Sequence, residues 1–309
     1  MTPLPIDAVV PEVLAALDTA GAVVLVAPPG TGNTTRIPAA LADRVAGQVW
    51  VLEPRRVAAR AAATRVAEER GEPLGDTIGY AMRLDRRSGP RTRVLYVTEA
   101  LLGRRFAEDP RLTGIDAVIL DEFHERSVHV DVALAAVRAL RRERPDLKLV
   151  VMSATLDGAT VARWLGCPLV EAQAVTFPVT ITHVERRDER PIDVRVSAAV
   201  RAMLQEEPGD LLVFLPGRGE IERCAEVLRD LPVDVLPLHG EIPGPEQDRA
   251  LRSGPRRRVV LATNVAETSV TVEGVRVVID TGVARIAGHD PWSGLPTLSL
   301  EPKIGRAHV

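Results

Sequence analysis

The sequence predicts an α/β protein of two successive domains with mainly parallel sheets. Three observations carry that prediction. Short β-branched apolar runs alternate with helical stretches, each run of the first half ends in polar residues, and a charged interruption near the middle divides the alternation in two. The first-half runs are Val23-Val24-Leu25-Val26, Val49-Trp50-Val51-Leu52, Val94-Leu95-Tyr96-Val97, Ala117-Val118-Ile119-Leu120 and Leu149-Val150-Val151-Met152. Runs of this kind suit strands buried on both faces, and parallel strands gather the polar residues that follow them at one sheet edge.

The first run leads into Ala27-Pro28-Pro29-Gly30-Thr31-Gly32-Asn33-Thr34-Thr35, after which Ile37 to Leu41 continues as helix with Pro38 near its first turn. Strand, glycine-bearing loop, helix is the order in which backbone N–H groups wrap the phosphates of a nucleotide. That pattern asks for lysine after its last glycine, and here Gly32 is followed by Asn33. Taken alone, the stretch reads equally well as a Pro/Gly turn between two elements. The second run closes in Glu53-Pro54-Arg55-Arg56 and passes into an Ala/Arg-rich helix over Val57–Glu69. On their own, Arg55 and Arg56 read as a helix start on a solvated face. The later runs end in Thr98-Glu99, Asp121-Glu122 and Ser153-Ala154-Thr155.

The interruption lies at Thr176 to Pro191, with Phe177-Pro178, a short Val/Ile/Thr run and Glu185-Arg186-Arg187-Asp188-Glu189-Arg190. It sets the expected organisation: a first domain over 1–175, a linker over 176–190 and a second domain over 191–302. In the second domain Leu211 to Leu215, Val235 to Leu238, Val259 to Ala262 and Val275 to Ile279 read as strands. Ile221, Cys224, Ala225 and Leu228 fall on one face of a helix between the first two. Residues 303–309 read as a non-native tail, because Ile-Gly-Arg-Ala-His-Val resembles a sequencing adapter translated in one frame.

Composition narrows the function classes. With 39 Lys+Arg against 42 Asp+Glu the net charge is −3, so any nucleic-acid site must be a local patch rather than a global basic field. Cys167 and Cys224 stand far apart with no His/Cys cluster beside them, which excludes a disulfide framework and a zinc site and suggests core thiols in a reducing compartment. No apolar run approaches the ~18 to 20 residues of a membrane span, and no signal peptide is apparent. A cytoplasmic protein is expected.

Asp121 and Glu122 are the strongest chemical signal. Two adjacent carboxylates at a strand end are costly to hold together unless a cation sits between them, although acids also gather at helix N-termini. With the hydroxyl of Thr34 from the loop, Asp121 suits a Mg²⁺ ion, and Glu122 suits orienting or activating a water. A zinc-hydrolase reading of Phe123-His124-Glu125-Arg126 fails, since His129 is the only other nearby histidine and nothing completes a ligand set.

Asp121-Glu122-Phe123-His124-Glu125-Arg126 resembles the signature of DEAH-box helicases, in the variant of bacterial HrpB-type ATP-dependent helicases. The resemblance covers about Pro11 to Pro302 and rests on several motifs in the family's order. Gly30 to Thr35 (Gly30, Thr31, Gly32, Asn33, Thr34, Thr35) resembles motif I. Glu53-Pro54-Arg55-Arg56 resembles motif Ia and Thr98-Glu99 motif Ib, both of which touch the nucleic-acid backbone in the family. Ser153-Ala154-Thr155 resembles motif III, which links hydrolysis to strand movement. Val213 to Glu220 resembles motif IV, and Thr263-Asn264-Val265-Ala266-Glu267-Thr268-Ser269-Val270-Thr271 with Val278 to Gly282 resembles motif V, a strand contact.

The resemblance implies two tandem RecA-like P-loop domains with a cleft between them, ATP and Mg²⁺ as cofactors, and a single nucleic-acid strand, RNA by expectation, as partner to a monomer. It implies catalytic roles for Asp121, Glu122 and His124, nucleotide contacts from the loop, and Mg²⁺ ligation by Thr34 and Asp121. Strand contacts are implied at Arg55, Arg56, Thr98, Glu99, Thr263 and Asn264. Two departures stand out. The arginine-bearing motif VI, expected a few tens of residues after motif V, lies past the last residue given; gain or loss of such an arginine is worth roughly 10³ to 10⁵ in rate. Asn33 replaces the charged lysine with a neutral donor on a shorter stem, which predicts weaker ATP binding and slow turnover. A catalytically silent, nucleotide-responsive RNA-binding module is the alternative that these departures leave open.

Overall fold

The computed structural model describes residues 3–154, 158–173, 177–184, 188–267 and 270–303, and the chain divides into two compact units, Met1–Pro178 and Val179–Val309. In the first unit, helix α1 (Val10–Ala20) precedes strand β1 (Ala22–Val26), α2 (Asn33–Ala42) and β2 (Gln48–Glu53). Then come α3 (Arg56–Arg70), β3 (Ile78–Met82), β4 (Asp85–Arg87), β5 (Val94–Thr98), α4 (Glu99–Glu108) and β6 (Ile115–Leu120). The unit closes with α5 (Val128–Leu140), β7 (Lys148–Ser153), α6 (Gly158–Leu165) and β8 (Leu169–Glu171). All eight strands form one sheet in the order β4-β3-β5-β2-β6-β7-β1-β8, parallel except for the β3–β4 pair.

The period-two alternation of the strands fills a core on each face. Val23, Leu25, Val49, Val51, Tyr96, Ile119 and Met152 pack with helices α1 to α3. The intervening Val24, Leu52, Val97, Val118, Leu120 and Val151 pack against α4 to α6 on the other side. Burying both faces leaves the C-terminal strand ends as the place where polar groups can stand. In register there are Glu53 beside Thr98, Leu52 beside Leu120, and Val26 beside Ser153. Residues 155–157, and Thr155 with them, lie outside the described residues.

The second unit carries α7 (Ile192–Glu206), β9 (Asp210–Phe214), α8 (Arg218–Val227), β10 (Asp234–Leu238), α9 (Gly244–Leu251), β11 (Arg258–Ala262) and β12 (Val275–Asp280). Strands β10-β11-β9-β12 make a parallel sheet, and β13 (Val283–His289) and β14 (Pro296–Pro302) form a separate antiparallel pair. Val196, Val200, Ile221 and Cys224 from α7 and α8 cover Leu211, Val213, Val259 and Leu261. Cys224 is buried as the sequence suggests, whereas Cys167 in the first unit is only half-buried, and both are free thiols. The expected linker holds residues without regular structure at 177–184, and 304–309 of the expected tail lie outside the described residues.

At the opposite edge of that second sheet, Arg258 is 2% exposed and Asp210 8%. Asp210 accepts from the Arg258 backbone N–H at 2.8 Å, from Nε at 2.8 Å, and from Nη2 at 2.6 Å. The Ala250 carbonyl takes a further guanidinium hydrogen at 3.2 Å, and those of Arg252 and Glu273 also accept. A buried charge with all its hydrogens placed is tolerated, but removing one partner strands the other, a loss of about 3–5 kcal/mol. Asp210→Ala should therefore lower the denaturant-measured stability of the second unit by about 3 kcal/mol or more, while Asp210→Leu with Arg258→Met stays close to the parent. A near-neutral Asp210→Ala would contradict that assignment.

Candidate active site

The loop after β1 takes its shape from two glycines. Gly30 has φ 79° and Gly32, the N-cap of α2, has φ 93°, a region that side-chain-bearing residues rarely adopt. Thr31 between them is fully buried, its hydroxyl donating to the Pro28 carbonyl at 2.9 Å, and the Ile6 N–H donates to the Thr31 carbonyl at 3.2 Å. The first turn of α2 then presents N–H groups that no helical carbonyl can take, at the positive end of the helix dipole.

Pro38 is well inside α2 rather than in its first turn. Having no N–H, it cannot bond the carbonyl of Thr34 one turn earlier. The hydroxyl of fully buried Tyr96 on β5 donates to that carbonyl instead, at 2.7 Å. One unmade helical bond thus fastens the loop's threonine to the sheet.

The Thr34 hydroxyl meets the Asp121 carboxylate at 2.6 Å. Asp121 follows β6 and is 2% exposed, and its other oxygen accepts from the Glu122 N–H at 2.9 Å. The Asn33 amide approaches Asp121 at 3.5 Å, accepts from Thr31 at 3.3 Å and lies 4.0 Å from the Met152 sulfur. It is thus directed at the carboxylate with a weak neutral donor where the pattern asks for a charged one.

Glu122 and Arg126 bound a tight turn around Phe123–Glu125, with φ 50° and 47°, so this turn is held in an unfavourable backbone region. Each polar side chain of the turn reaches a different segment. His124 Nε2 stands 3.3 Å from Glu122, and its Nδ1 accepts from the Ala154 N–H at 3.3 Å, which leaves Nε2 as the nitrogen that carries the proton facing Glu122. Glu125 pairs with Arg55 at 3.3 Å. Ser127 donates to Glu99 and caps α5 by accepting from the Val130 N–H at 3.0 Å.

Glu53, at the end of β2, is 1% exposed, and its Oε1 is buried with no hydrogen-bond partner. Burial, then Asp121 and Glu122, pushes its carboxyl well above the usual range. Burial also raises Asp121, opposed by its hydrogen bonds to Thr34 and Glu122. The side-chain contact between the two raises Glu53 further and lowers Asp121. Burial raises Glu122 to about 8, Asp121 and Glu125 adding to the effect and Arg55 opposing it. At the level of sequence Glu53 falls within the motif Ia resemblance and Glu125 within the signature, neither with an individual site role, and Ser127 is not singled out; for Glu53 the available signal is an acid closing an apolar strand.

Of the other sequence-predicted positions, Arg56 is exposed with its Nε 3.4 Å from the Met82 sulfur, and Thr98 is the N-cap of α4. Ser153 ends β7 and is buried, and Ala154 follows it. In the second unit, Thr263 leads into a turn at Asn264–Ala266, its N–H donating to Leu238 at 3.2 Å, and Asn264 is exposed.

Residues 7–164 match the family model described as DEAD/DEAH box helicase, and residues 195–308 match the helicase conserved C-terminal domain. The chain belongs to the DEAD/DEAH box helicase family. Its α/β architecture of two tandem domains is that family's, and with it the chain joins a family of enzymes. It is 44% identical to the ATP-dependent RNA helicase HrpB of Escherichia coli (strain K12), over 99% of this chain and 40% of the relative. It is 35% identical to the ATP-dependent RNA helicase HrpA of the same organism, over 97% of this chain and 24% of that one. Two crystal structures of Escherichia coli HrpB, described as a DEAH/RHA helicase and a DExH-box NTPase, superpose with TM-scores of 0.89 and 0.79, both at 44% identity. They match over 97% and 98% of this chain and 39% and 38% of theirs. The chain therefore spans about two fifths or less of the length of these relatives.

Among the described residues no group of three or more His, Cys, Asp or Glu side chains is set to hold a metal ion unaided. A helicase-family Mg²⁺ asks for less: one or two protein oxygens, with phosphate and water completing its shell. The Thr34 hydroxyl and the Asp121 carboxylate, 2.6 Å apart, are oxygens of the kind that would hold such an ion, and the buried Glu53 Oε1 has no hydrogen-bond partner.

The raised Glu122 gives a testable pH dependence. A carboxyl whose folded pKa lies near 8 against an ordinary 4.5 favours the protonated fold, so its contribution is complete below about pH 4.5 and is lost as pH rises through 8. In metal-free buffer the melting temperature of the first unit should fall between pH 6 and 8.5 by about 3 °C or more, the response to roughly 1 kcal/mol in a domain of this size. Glu122→Gln should flatten the slope. A metal-free melting temperature that rises over that interval contradicts the assignment.

Proposed function

We propose that this chain is the two-domain motor portion of an ATP-dependent RNA helicase, in which hydrolysis of Mg²⁺-bound ATP drives movement along a single strand. The observation that carries the reading is the 2.6 Å contact between Thr34 on the phosphate loop and Asp121 at the end of β6, with Glu122 alongside. The matched relatives' descriptions as ATP-dependent RNA helicases support RNA as the strand. We read the protein as a cytoplasmic monomer; no helix among the described residues is long and apolar enough to cross a membrane.

In this proposal the loop amides and the first turn of α2 cradle the β- and γ-phosphates. Thr34 and Asp121 would hold Mg²⁺, which when bound neutralises charge developing on the phosphate oxygens. Glu122, as carboxylate, takes the proton of the water that attacks the γ-phosphorus as the bond to the β-bridging oxygen breaks. His124 is a positioning residue: its Nε2–H holds Glu122 and its Nδ1 ties that hold to Ala154. Arg55, Arg56, Thr98 and Glu99, with Thr263 and Asn264 of the second unit, provide polar backbone contacts that suit sequence-independent strand binding. Ser153, Ala154 and Thr155 form the motif to which this reading gives the link between hydrolysis and strand movement, and the hydrogen bond from the Ala154 N–H to His124 supports it.

Asn33 supports a second reading, a catalytically silent, nucleotide-responsive RNA-binding module. Replacing a charge-assisted contact by a neutral one costs about 1–2 kcal/mol, so Asn33→Lys should tighten ATP binding by roughly tenfold. Strand-stimulated ATPase should be slow for the chain as given. It should rise in Asn33→Lys, and rise by roughly 10³-fold or more when that variant is extended through an arginine-bearing motif VI. Glu122→Gln should abolish it. Silence of the extended, lysine-restored protein would refute the helicase reading, and normal turnover by the parent chain would refute the role given to Asn33.

A further inference from the structure

The turn from Glu122 to Ser127 holds three links that the hydrolysis reading leaves unused or only half used. It begins at the proposed general base, with backbone in an unfavourable region at both Glu122 and Arg126. Such a turn persists only where its surroundings hold it. Beside the exposed Arg126–Asp131 pair, the holds are His124 to Ala154, Glu125 to Arg55, and Ser127 to Glu99. Arg55 and Glu99 sit in the two segments proposed to touch the strand, and both are engaged with this turn.

We infer that Glu125 is a positioning residue that couples strand binding to the nucleotide site, with Arg55 as the exchangeable partner. A guanidinium paired to a carboxylate is the group that a backbone phosphate competes for, since both accept the same planar pair of donors. The Arg55 and Glu125 side chains are 21% and 19% exposed, so the pair is reachable from solvent yet partly desolvated. Drawing Arg55 onto a phosphate loosens one of the ties on the turn, and the turn carries Glu122. Ser127, through Glu99, supplies a second tie to the same face. The inference rests on the helicase reading, and it adds to it a specific carrier for the signal.

The test is a linkage measurement on the whole chain. The dissociation constant of a fluorescent oligouridylate is measured with and without saturating Mg²⁺ and a fluorescence-silent ADP, and the ratio gives the coupling. Coupling between distinct sites is typically about 5- to 150-fold, so a ratio of about fivefold or more is expected in the parent. Glu125→Gln and Ser127→Ala should each bring the ratio to within about twofold of unity with both ligands still bound. Glu125→Gln, by freeing Arg55, should also tighten the oligouridylate in the absence of nucleotide, and Ser127→Ala, by removing the α5 cap, should also lower the melting temperature. Asp131→Asn, which breaks the exposed Arg126–Asp131 pair in the same turn, should leave the ratio at the parent value. A parent that binds both ligands without coupling, or a Glu125→Gln variant that retains the parent's ratio, overturns the inference and leaves the helicase reading standing. A parent that binds neither ligand overturns the reading and the inference with it.

Discussion

The Asp121 carboxylate, gripped by the Thr34 hydroxyl and the Glu122 N–H, is the constraint around which the first unit is arranged. Its position requires β6 to end beside β2, α2 to begin where the phosphate loop ends, and Thr34 to stay within reach. That last requirement is met in a roundabout way. Pro38 leaves the Thr34 carbonyl without its helical partner, and the buried Tyr96 hydroxyl replaces the missing donor. The loop is fastened to the strand that lies on the far side of β2 from β6.

Electrostatics works against this corner. Glu53, Asp121 and Glu122 are gathered under burial, and the relief nearby comes from hydrogen bonds rather than charges, apart from Arg55 acting on Glu122. Asn33 sharpens the problem, because the residue aimed at Asp121 brings an amide in place of an ammonium. Burial and the neighbouring carboxylates hold Glu53 well above the usual carboxylate range and raise Glu122 to about 8. A divalent ion with a phosphate, as proposed, would oppose that upward shift, and the Glu53 Oε1 has no hydrogen-bond partner to do so.

Much of the fold was legible in the sequence because its signal is periodic. The five first-half runs became β1, β2, β5, β6 and β7, and the polar residues closing them stand at one sheet edge. The unread elements lack that signal. β3 contains a glycine, β4 is Asp-Arg-Arg, β8 spans Leu169–Glu171, and β13 and β14 mix apolar and polar residues. The site was legible as residue types, since a strand-end acid pair and a glycine loop announce their chemistry locally. Which distant partner each side chain meets is not local information: Arg55 meets Glu125 because β2 lies beside β6, and Ser127 meets Glu99 because α5 packs against α4. Pro38 shows the same limit, for its sequence position suggested a helix start and its consequence lies on Tyr96.

The central claim is that Thr34 and Asp121 form a magnesium-dependent nucleotide site despite Asn33. The most direct measurement is calorimetric binding of ADP to the chain in Mg²⁺ and in EDTA, compared with Asp121→Asn. The account predicts that Mg²⁺ tightens ADP binding to the parent by roughly tenfold or more, the worth of one charge-assisted contact, and that Asp121→Asn removes the difference. Equal affinity of the parent for ADP in Mg²⁺ and in EDTA would contradict it.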